Sequence, residues 1–262
     1  MKKATPARQQ GPAIAVEYAG QGQKQQALRL AQKLGLPIAA EGERYDLILR
    51  CSETGLELFR PGDPLLTGSV RAEFVDGPSG YRRIRGGSEM LIRAIGHKKN
   101  TRTSVLDATG GLGRDAFIMA SHGCQVHVFE KNPVAAVVLE DGLRRASEHP
   151  DTKRISDRIR LTVGDSCKFL LSEDRVAPFD VIYLDPMFPE RSKSARVKKE
   201  LQILQQLVGH DENIENLFAA ALQTARKRVV VKRPKTAPPL HGPAPSYNIS
   251  GKTTRFDVYL IS

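Results

Sequence analysis

Apolar residues fall in short runs along the second part of the chain, and stretches with helical spacing separate most of them. "SVLDAT" (104–109), "QVHVFE" (125–130), "IRLTVGD" (159–165), "FDVIYLD" (179–185) and "KRVVVKR" (227–233) are rich in β-branched residues and predict strands. "GRDAFIMASHG" ends on Gly123, a natural helix stop. "NPVAAVVLEDGLRRASEH" opens with Asn132 as N-cap and Pro133 at the first helical position. "ENIENLFAAALQTARK" carries apolar residues at helical spacing. Buried strands alternating with helices predict a mostly parallel sheet covered on both faces. A last run, "TRFDVYLIS", follows a Gly/Pro-rich loop with no helix between, so it is expected to pair antiparallel at or near the sheet edge.

Residues 1–95 read differently and predict a small α+β appendage, leaving 96–262 as the main domain. "AIAVEYA" is strand-like and "GQKQQALRLAQKLGLP" helical. "RYDLILRCSETGLELFR" resembles a hairpin turning at Glu53-Thr54-Gly55, and "SVRAEFVDG" reads as a further strand. The helical "SEMLIRAIG" joins the two parts.

Composition narrows the class. The chain has 262 residues, of which 40% are hydrophobic, enough for a real core. It has no apolar run near ~18 residues and no recognisable leader, so a cytoplasmic protein is expected. Cys51, Cys124 and Cys167 lie far apart and give neither a disulfide framework nor zinc spacing. The six histidines show no ligand pattern, and no metal is expected. The net charge of +11 attracts polyanions, and its clustering adds to this. Arg82, Arg83 and Arg85 lie together; Arg191, Lys193, Arg196, Lys198 and Lys199 form a second group; Lys232, Arg233 and Lys235 end a strand.

Candidate chemistry begins at "LDATGGLGRDA". Gly110, Gly111 and Gly113 stand between a strand and a helix, where glycines let a ligand touch the backbone and helix N–H groups receive an anion. "GLGRDA" fits the dinucleotide pattern G-x-G-x-x-A, with Glu130 ending the next strand where it can bind ribose hydroxyls. S-adenosylmethionine needs the same acid, together with a group such as Asp107 near its amino end. The "GDS" after the third strand, Asp165 and Ser166, lies where an adenine is held. This loop alone leaves both cofactors open.

"VIYLDPMFPE" (181–190) favours the second. Asp185-Pro186-Met187-Phe188 resembles the [D/N/S]-P-P-[Y/F] motif of S-adenosylmethionine-dependent methyltransferases acting on planar nitrogens. An exocyclic amine is a poor nucleophile, because its lone pair is delocalised into the ring. A carboxylate and a backbone carbonyl can accept its two hydrogens and orient the lone pair, and an aromatic ring can stack on the base. Read without its neighbours, "DP" is only a strand-ending turn.

Beyond this motif, "DATGGLGRDAF", "EKNPVAAVVLEDGL", "YLDPMFP", "KSARVKKE", "QQLVG", "VVVKRP" with "APPL", and "RFDVY" resemble the ribosomal small-subunit RNA methyltransferase J family over about residues 80–260. Gly110 stands where that family usually has Ala, and Asp165 where it usually has Ser. The resemblance implies a class I methyltransferase fold of the Rossmann-like type, with a mostly parallel seven-stranded sheet. It implies methyl transfer from S-adenosylmethionine to the N2 amine of one guanosine near the 3′ end of 16S rRNA. It also implies cofactor contacts at Arg114-Asp115, Glu130-Lys131, Asp165-Ser166 and Asp185.

The expected site is therefore Asp185, Pro186 and Phe188 for catalysis. Asp107, Gly111, Gly113, Arg114, Asp115, Glu130, Lys131, Asp165, Ser166 and Asp185 are expected to hold the cofactor. Arg82, Arg83, Arg191, Lys193, Lys198, Lys199, Lys232 and Arg233 are expected to meet 16S rRNA or the small-subunit particle. A solvated helix face is the bland alternative for the 191–199 run. The competing functions are methylation of adenine or of a protein glutamine, nicotinamide-dependent oxidation, and RNA binding without catalysis. The dehydrogenase explains "GLGRDA" but not "DPMF", and a plain RNA-binding protein explains the charge but not the cofactor set.

Overall fold

The computed structural model describes residues 11–62, 69–76, 89–172, 179–187, 195–209 and 213–261, with backbone alone described across 195–201. In chain order the first elements are β1 (Ile14–Tyr18), α1 (Lys24–Leu34), β2 (Leu47–Ser52), β3 (Gly55–Phe59) and α2 (Glu89–Ile95). There follow β4 (Ser104–Asp107), α3 (Arg114–Ser121), β5 (Gln125–Glu130), α4 (Pro133–Glu148), α5 (Pro150–Ser156), β6 (Ile159–Val163) and α6 (Ser166–Leu171). The last are β7 (Val181–Leu184), α7 (Ala195–Val208), α8 (Ile214–Thr224), β8 (Arg228–Pro234), β9 (Tyr247–Ser250) and β10 (Thr254–Leu260). They form two units, Met1–Val70 with Ser192–Val208, and Arg71–Arg191 with Gly209–Ser262.

In the first unit, β1 pairs parallel with β2, and β2 pairs antiparallel with β3. A parallel neighbour requires a crossover, and α1 supplies it. Ala27 and Ala31, one turn apart, are buried. Gly35 ends the helix in the left-handed conformation, with φ 65°. The predicted hairpin turns at Glu53-Thr54, where Ser52 Oγ donates to the Gly55 carbonyl at 2.8 Å. Helix α7, which follows the DPMF stretch in sequence, groups with this unit.

The second unit is built on a seven-stranded sheet in the order β6-β5-β4-β7-β8-β10-β9. The pairs from β6 to β8 are parallel, and β10 is antiparallel to both β8 and β9. All of β7 is buried, as are Val229, Val230 and Val231 of β8, so the central strands are covered on both faces. The last apolar run thus pairs antiparallel near the edge, as its sequence predicts. The outermost strand, β9, lies in the stretch that reads as loop, because it is mostly exposed and carries no apolar run. Helix α4 starts as predicted. Asn132 Oδ1 accepts from the N–H of Val134 at 2.9 Å and of Ala135 at 3.1 Å.

Residues 71–76, read from sequence as part of the appendage, pack with the main sheet's helices. Val70 makes one isolated bridge with Leu58, and the segment beyond it has no ladder. Phe74 stacks on Phe117 at 4.4 Å between ring centroids. Arg145 donates to the Ala72 carbonyl at 2.5 Å and pairs with Glu73 at 2.6 Å. Gly142 of α4 allows this close passage, since a Cβ there would lie 2.5 Å from the Ala72 carbonyl oxygen.

Gly142→Ala should therefore destabilise the protein. Alanine gains about 1 kcal/mol in helix propensity, but forcing a methyl against backbone costs about 1–3 kcal/mol. The urea midpoint is expected to fall with the slope unchanged, and an equal or higher midpoint would refute this packing.

Candidate functional site

The parallel strands deliver their carboxyl ends to one edge of the sheet, where open α/β folds bind ligands. Asp107 ends β4, Glu130 ends β5, and Asp185 follows β7 directly. Between β4 and α3 the glycine loop turns tightly. Gly110 N–H donates to the Phe129 carbonyl at 2.8 Å, and Gly113 N–H to the Gly110 carbonyl at 2.8 Å. Gly111 and Gly113 take φ of 53° and 71°. An added Cβ at Gly110 would sit 2.4 Å from Val128 Cγ1 and 2.9 Å from the Phe129 carbonyl oxygen, so this loop lies tight on β5. At Gly111 it would meet nothing closer than 4.0 Å, which leaves room beside that peptide.

Glu130 braces the loop from the neighbouring strand. Its Oε2 accepts from Gly111 N–H at 2.6 Å and its Oε1 from Asn132 N–H at 2.7 Å, with the residue only 5% exposed. Ser166 is buried and donates to the Ala108 carbonyl at 2.8 Å. Asp165 caps α6, its Oδ1 accepting from the N–H of Cys167 at 2.8 Å and of Lys168 at 3.2 Å. Arg114 and Lys131 are exposed at the starts of α3 and α4.

Three aspartates meet beside the loop. Tyr183 Oη donates to Asp115 Oδ2 at 2.5 Å. Lys232 Nζ donates to Asp115 Oδ2 at 2.7 Å and to Asp185 Oδ2 at 2.8 Å. The Asp185 N–H donates to Thr109 Oγ1 at 2.7 Å, which fixes the turn at Asp185-Pro186 to the glycine loop. Burial works against the charge of Lys232, but the carboxylates of Asp185 and Asp115 outweigh it and hold its pKa above the ordinary lysine range. Asp107 is 2% exposed, and burial first, then the charge of Asp115, pushes its pKa up to about 8.

Two of the cations expected to meet RNA, Lys232 and Arg233, have partners inside the fold. Alternation along β8 sends Lys232 into the aspartate cluster. Arg233, 5% exposed, donates to the Pro238 carbonyl. Sequence reasoning also passed over Tyr183 and Thr109, which look like plain strand and loop residues. A lysine in a buried strand that ends among aspartates was the available signal for Lys232. Arg82, Arg83, Phe188, Arg191 and Lys193 lie outside the described residues, and Lys198 and Lys199 lie where α7 is described by its backbone alone. Among the described residues, no group of three or more His, Cys, Asp or Glu could hold a metal ion. Among them too, no helix is long and apolar enough to cross a membrane.

Asp107 gives a pH test. Its folded pKa lies above the unfolded value of about 4, so the folded state binds the extra proton and stability falls as pH rises from there through about 8. Asp107→Asn removes that loss. The melting temperature of the variant relative to wild type should climb between pH 5 and pH 9. A pH-independent difference would show that this carboxyl is not held protonated.

Comparison with known proteins agrees with this arrangement. The family model described as "Putative SAM-dependent methyltransferase" matches residues 29–261. Ribosomal RNA small subunit methyltransferase J of Pseudomonas aeruginosa (strain UCBPP-PA14) is 47% identical over 235 residues, covering 89% of each chain. The protein of the same name from Thioalkalivibrio sulfidiphilus is 46% identical over 249 residues, covering 94% of this chain and 97% of its own. The crystal structure of a SAM-dependent methyltransferase from Neisseria gonorrhoeae superposes with a TM-score of 0.73 at 34% identity, covering 94% of this chain and 95% of that one. These matches resolve the choice of cofactor that the glycine loop left open, in favour of S-adenosylmethionine (SAM). The chain belongs to the ribosomal RNA small subunit methyltransferase J family of SAM-dependent methyltransferases.

Proposed function

We propose that the protein transfers a methyl group from SAM to the N2 amine of a guanosine near the 3′ end of 16S rRNA, with Asp185 orienting that amine. The observation that carries this reading is the position of Asp185. Its side chain is 38% exposed, at the end of β7, with its backbone tied to the glycine loop and its carboxylate tied to Lys232. A carboxylate held from two sides and still reachable is suited to accept a hydrogen from an incoming amine.

The residues present fit SAM. The peptide at Gly111 has open space beside it, and the buried Glu130 carboxylate stands next to it, suited to ribose hydroxyls. Asp115 and Asp185 together carry more negative charge than Lys232 cancels, which favours a cationic ligand. Ser166 and Asp165, fixed by bonds at the start of α6, are the residues proposed to meet the adenine, with the exposed Arg114 and Lys131 as further contacts. When bound, SAM supplies an electrophilic methyl on a sulfonium.

The chain's own part is positioning. Asp185 and the Pro186 carbonyl accept the two amine hydrogens, which turns the nitrogen lone pair toward the methyl. Pro186 is buried and stiffens the turn. Phe188 stacks on the base. The amine loses a proton after transfer, and Asp185 or water receives it, so no strong base is needed beforehand. A base in a stack cannot reach this site, so the guanosine is extruded. Arg82, Arg83, Arg191, Lys193, Lys198 and Lys199 hold the flanking phosphates, and binding weakens steeply with salt.

Two variants test the assignment. Glu130→Ala should weaken SAM binding by about 1–3 kcal/mol in calorimetry. Asp185→Ala should fold normally and lose about 10²–10⁴ in single-turnover methylation, with a modest loss of SAM affinity. Mass spectrometry of 16S rRNA after reaction with labelled SAM identifies the product. A fully active Asp185→Ala protein would show that the carboxylate only caps a turn.

A further inference from the structure

We propose that Lys232 is a positioning residue for methyl transfer: its ammonium, clasped between Asp115 and Asp185, sets the rotation of the Asp185 carboxylate toward the target amine. The proposal rests on the reading of Asp185 given above and adds a residue that acts through it.

The geometry is specific. Lys232 comes from β8, Asp185 from the end of β7, and Asp115 from the first turn of α3. Strands β7 and β8 are paired in parallel, with Leu184 opposite Val231, so position 232 is opposite position 185. The alternation of β8 buries Val231 and turns Lys232 into the cluster. Lys232 Nζ then lies 2.7 Å from Asp115 Oδ2 and 2.8 Å from Asp185 Oδ2. Asp115 is itself fixed by Tyr183 Oη at 2.5 Å. The order of support is therefore Tyr183 to Asp115, Asp115 to Lys232, and Lys232 to Asp185.

An aspartate needs such support because its last torsion is broad and nearly two-fold. The Asp185 backbone N–H fixes the turn, whereas the rotation of the carboxylate is set by what its oxygens bind. Lys232 binds one named oxygen and so restricts that rotation. A lysine suits the task better than a neutral donor. It is a compact charge with three N–H donors, so one group can hold two carboxylates. Its charge also offsets the repulsion that would otherwise drive Asp115 and Asp185 apart. A shift of about 1 Å in a positioning group costs on the order of 10² in rate, so the effect belongs in the chemical step.

The test compares Lys232→Met, Lys232→Arg, Asp185→Ala and the double variant Lys232→Met/Asp185→Ala. Single-turnover methylation of 16S rRNA at saturating SAM is measured beside calorimetric titration with SAM. Lys232→Met should be slower by about 10², with SAM affinity reduced by clearly less. Lys232→Arg should recover part of the rate, since it restores the charge in a different shape. The double variant should be no slower than Asp185→Ala, because the lysine acts through that carboxylate. If Lys232→Met fails to fold, Lys232→Met/Asp115→Asn removes one carboxylate with the lysine and takes its place. It should be as slow as predicted for Lys232→Met, and a wild-type rate in it would overturn the proposal. A wild-type rate for Lys232→Met beside a slow Asp185→Ala would sink the lysine proposal and leave the Asp185 reading intact. A fully active Asp185→Ala would remove that reading and this proposal with it. Independent, multiplying losses in the double variant would show that Lys232 does not act through Asp185.

Discussion

The site depends on one ammonium among three carboxylates. Asp107, Asp115 and Asp185 come from a strand end, a helix start and a loop, and they would repel one another if brought together alone. Lys232 resolves this by binding Asp115 and Asp185 directly, while Asp107 is left deep enough that burial holds its pKa near 8. The cluster thus carries a limited negative charge at the carboxyl edge of the sheet. That is a suitable place for a cofactor that is cationic at sulfur before transfer and neutral there afterwards.

The other half of the site is built from backbone. Glu130 accepts two N–H groups, one from the glycine loop and one from the start of α4. Gly110 is held to β5 through the Phe129 carbonyl, and Ser166 ties the start of α6 to the end of β4. These bonds join three successive strand–helix turns into one connected rim. In the proposed reading, a cofactor meeting that rim finds groups already oriented, which limits the entropy lost on binding.

The proposed substrate contacts draw on a different part of the chain. The basic stretch after the DPMF motif leads into α7, which groups with the N-terminal unit rather than with the sheet that carries the cofactor site. The proposed phosphate contacts lie in that basic stretch and in the Arg82-Arg83 run, while Arg233 is taken up inside the fold.

Much of this was legible in the sequence. The central parallel strands are short apolar runs, so their existence could be read, together with the near-edge antiparallel strand at the end. The glycine loop, Glu130 at the end of β5 and the DPMF turn could be read because each is local: a few neighbouring residues fix backbone shape and chemistry together. The short polar strand β9 and the seven-residue helix α5 could not, since neither has enough apolar periodicity to stand out. Residues 71–76 looked like a strand of the appendage, and the contacts with Phe117, Gly142 and Arg145 show where they pack instead. Lys232 is the clearest case. In sequence it sits in a basic cluster, "KRPK", and charge alone assigns it to solvent and phosphate. Which face of β8 it occupies, and that Asp115 and Asp185 wait there, depends on strand order and register among residues 47 and 117 positions apart. Local chemistry is written in the order of residues, but the partners of a buried charge are chosen by the packing of distant segments.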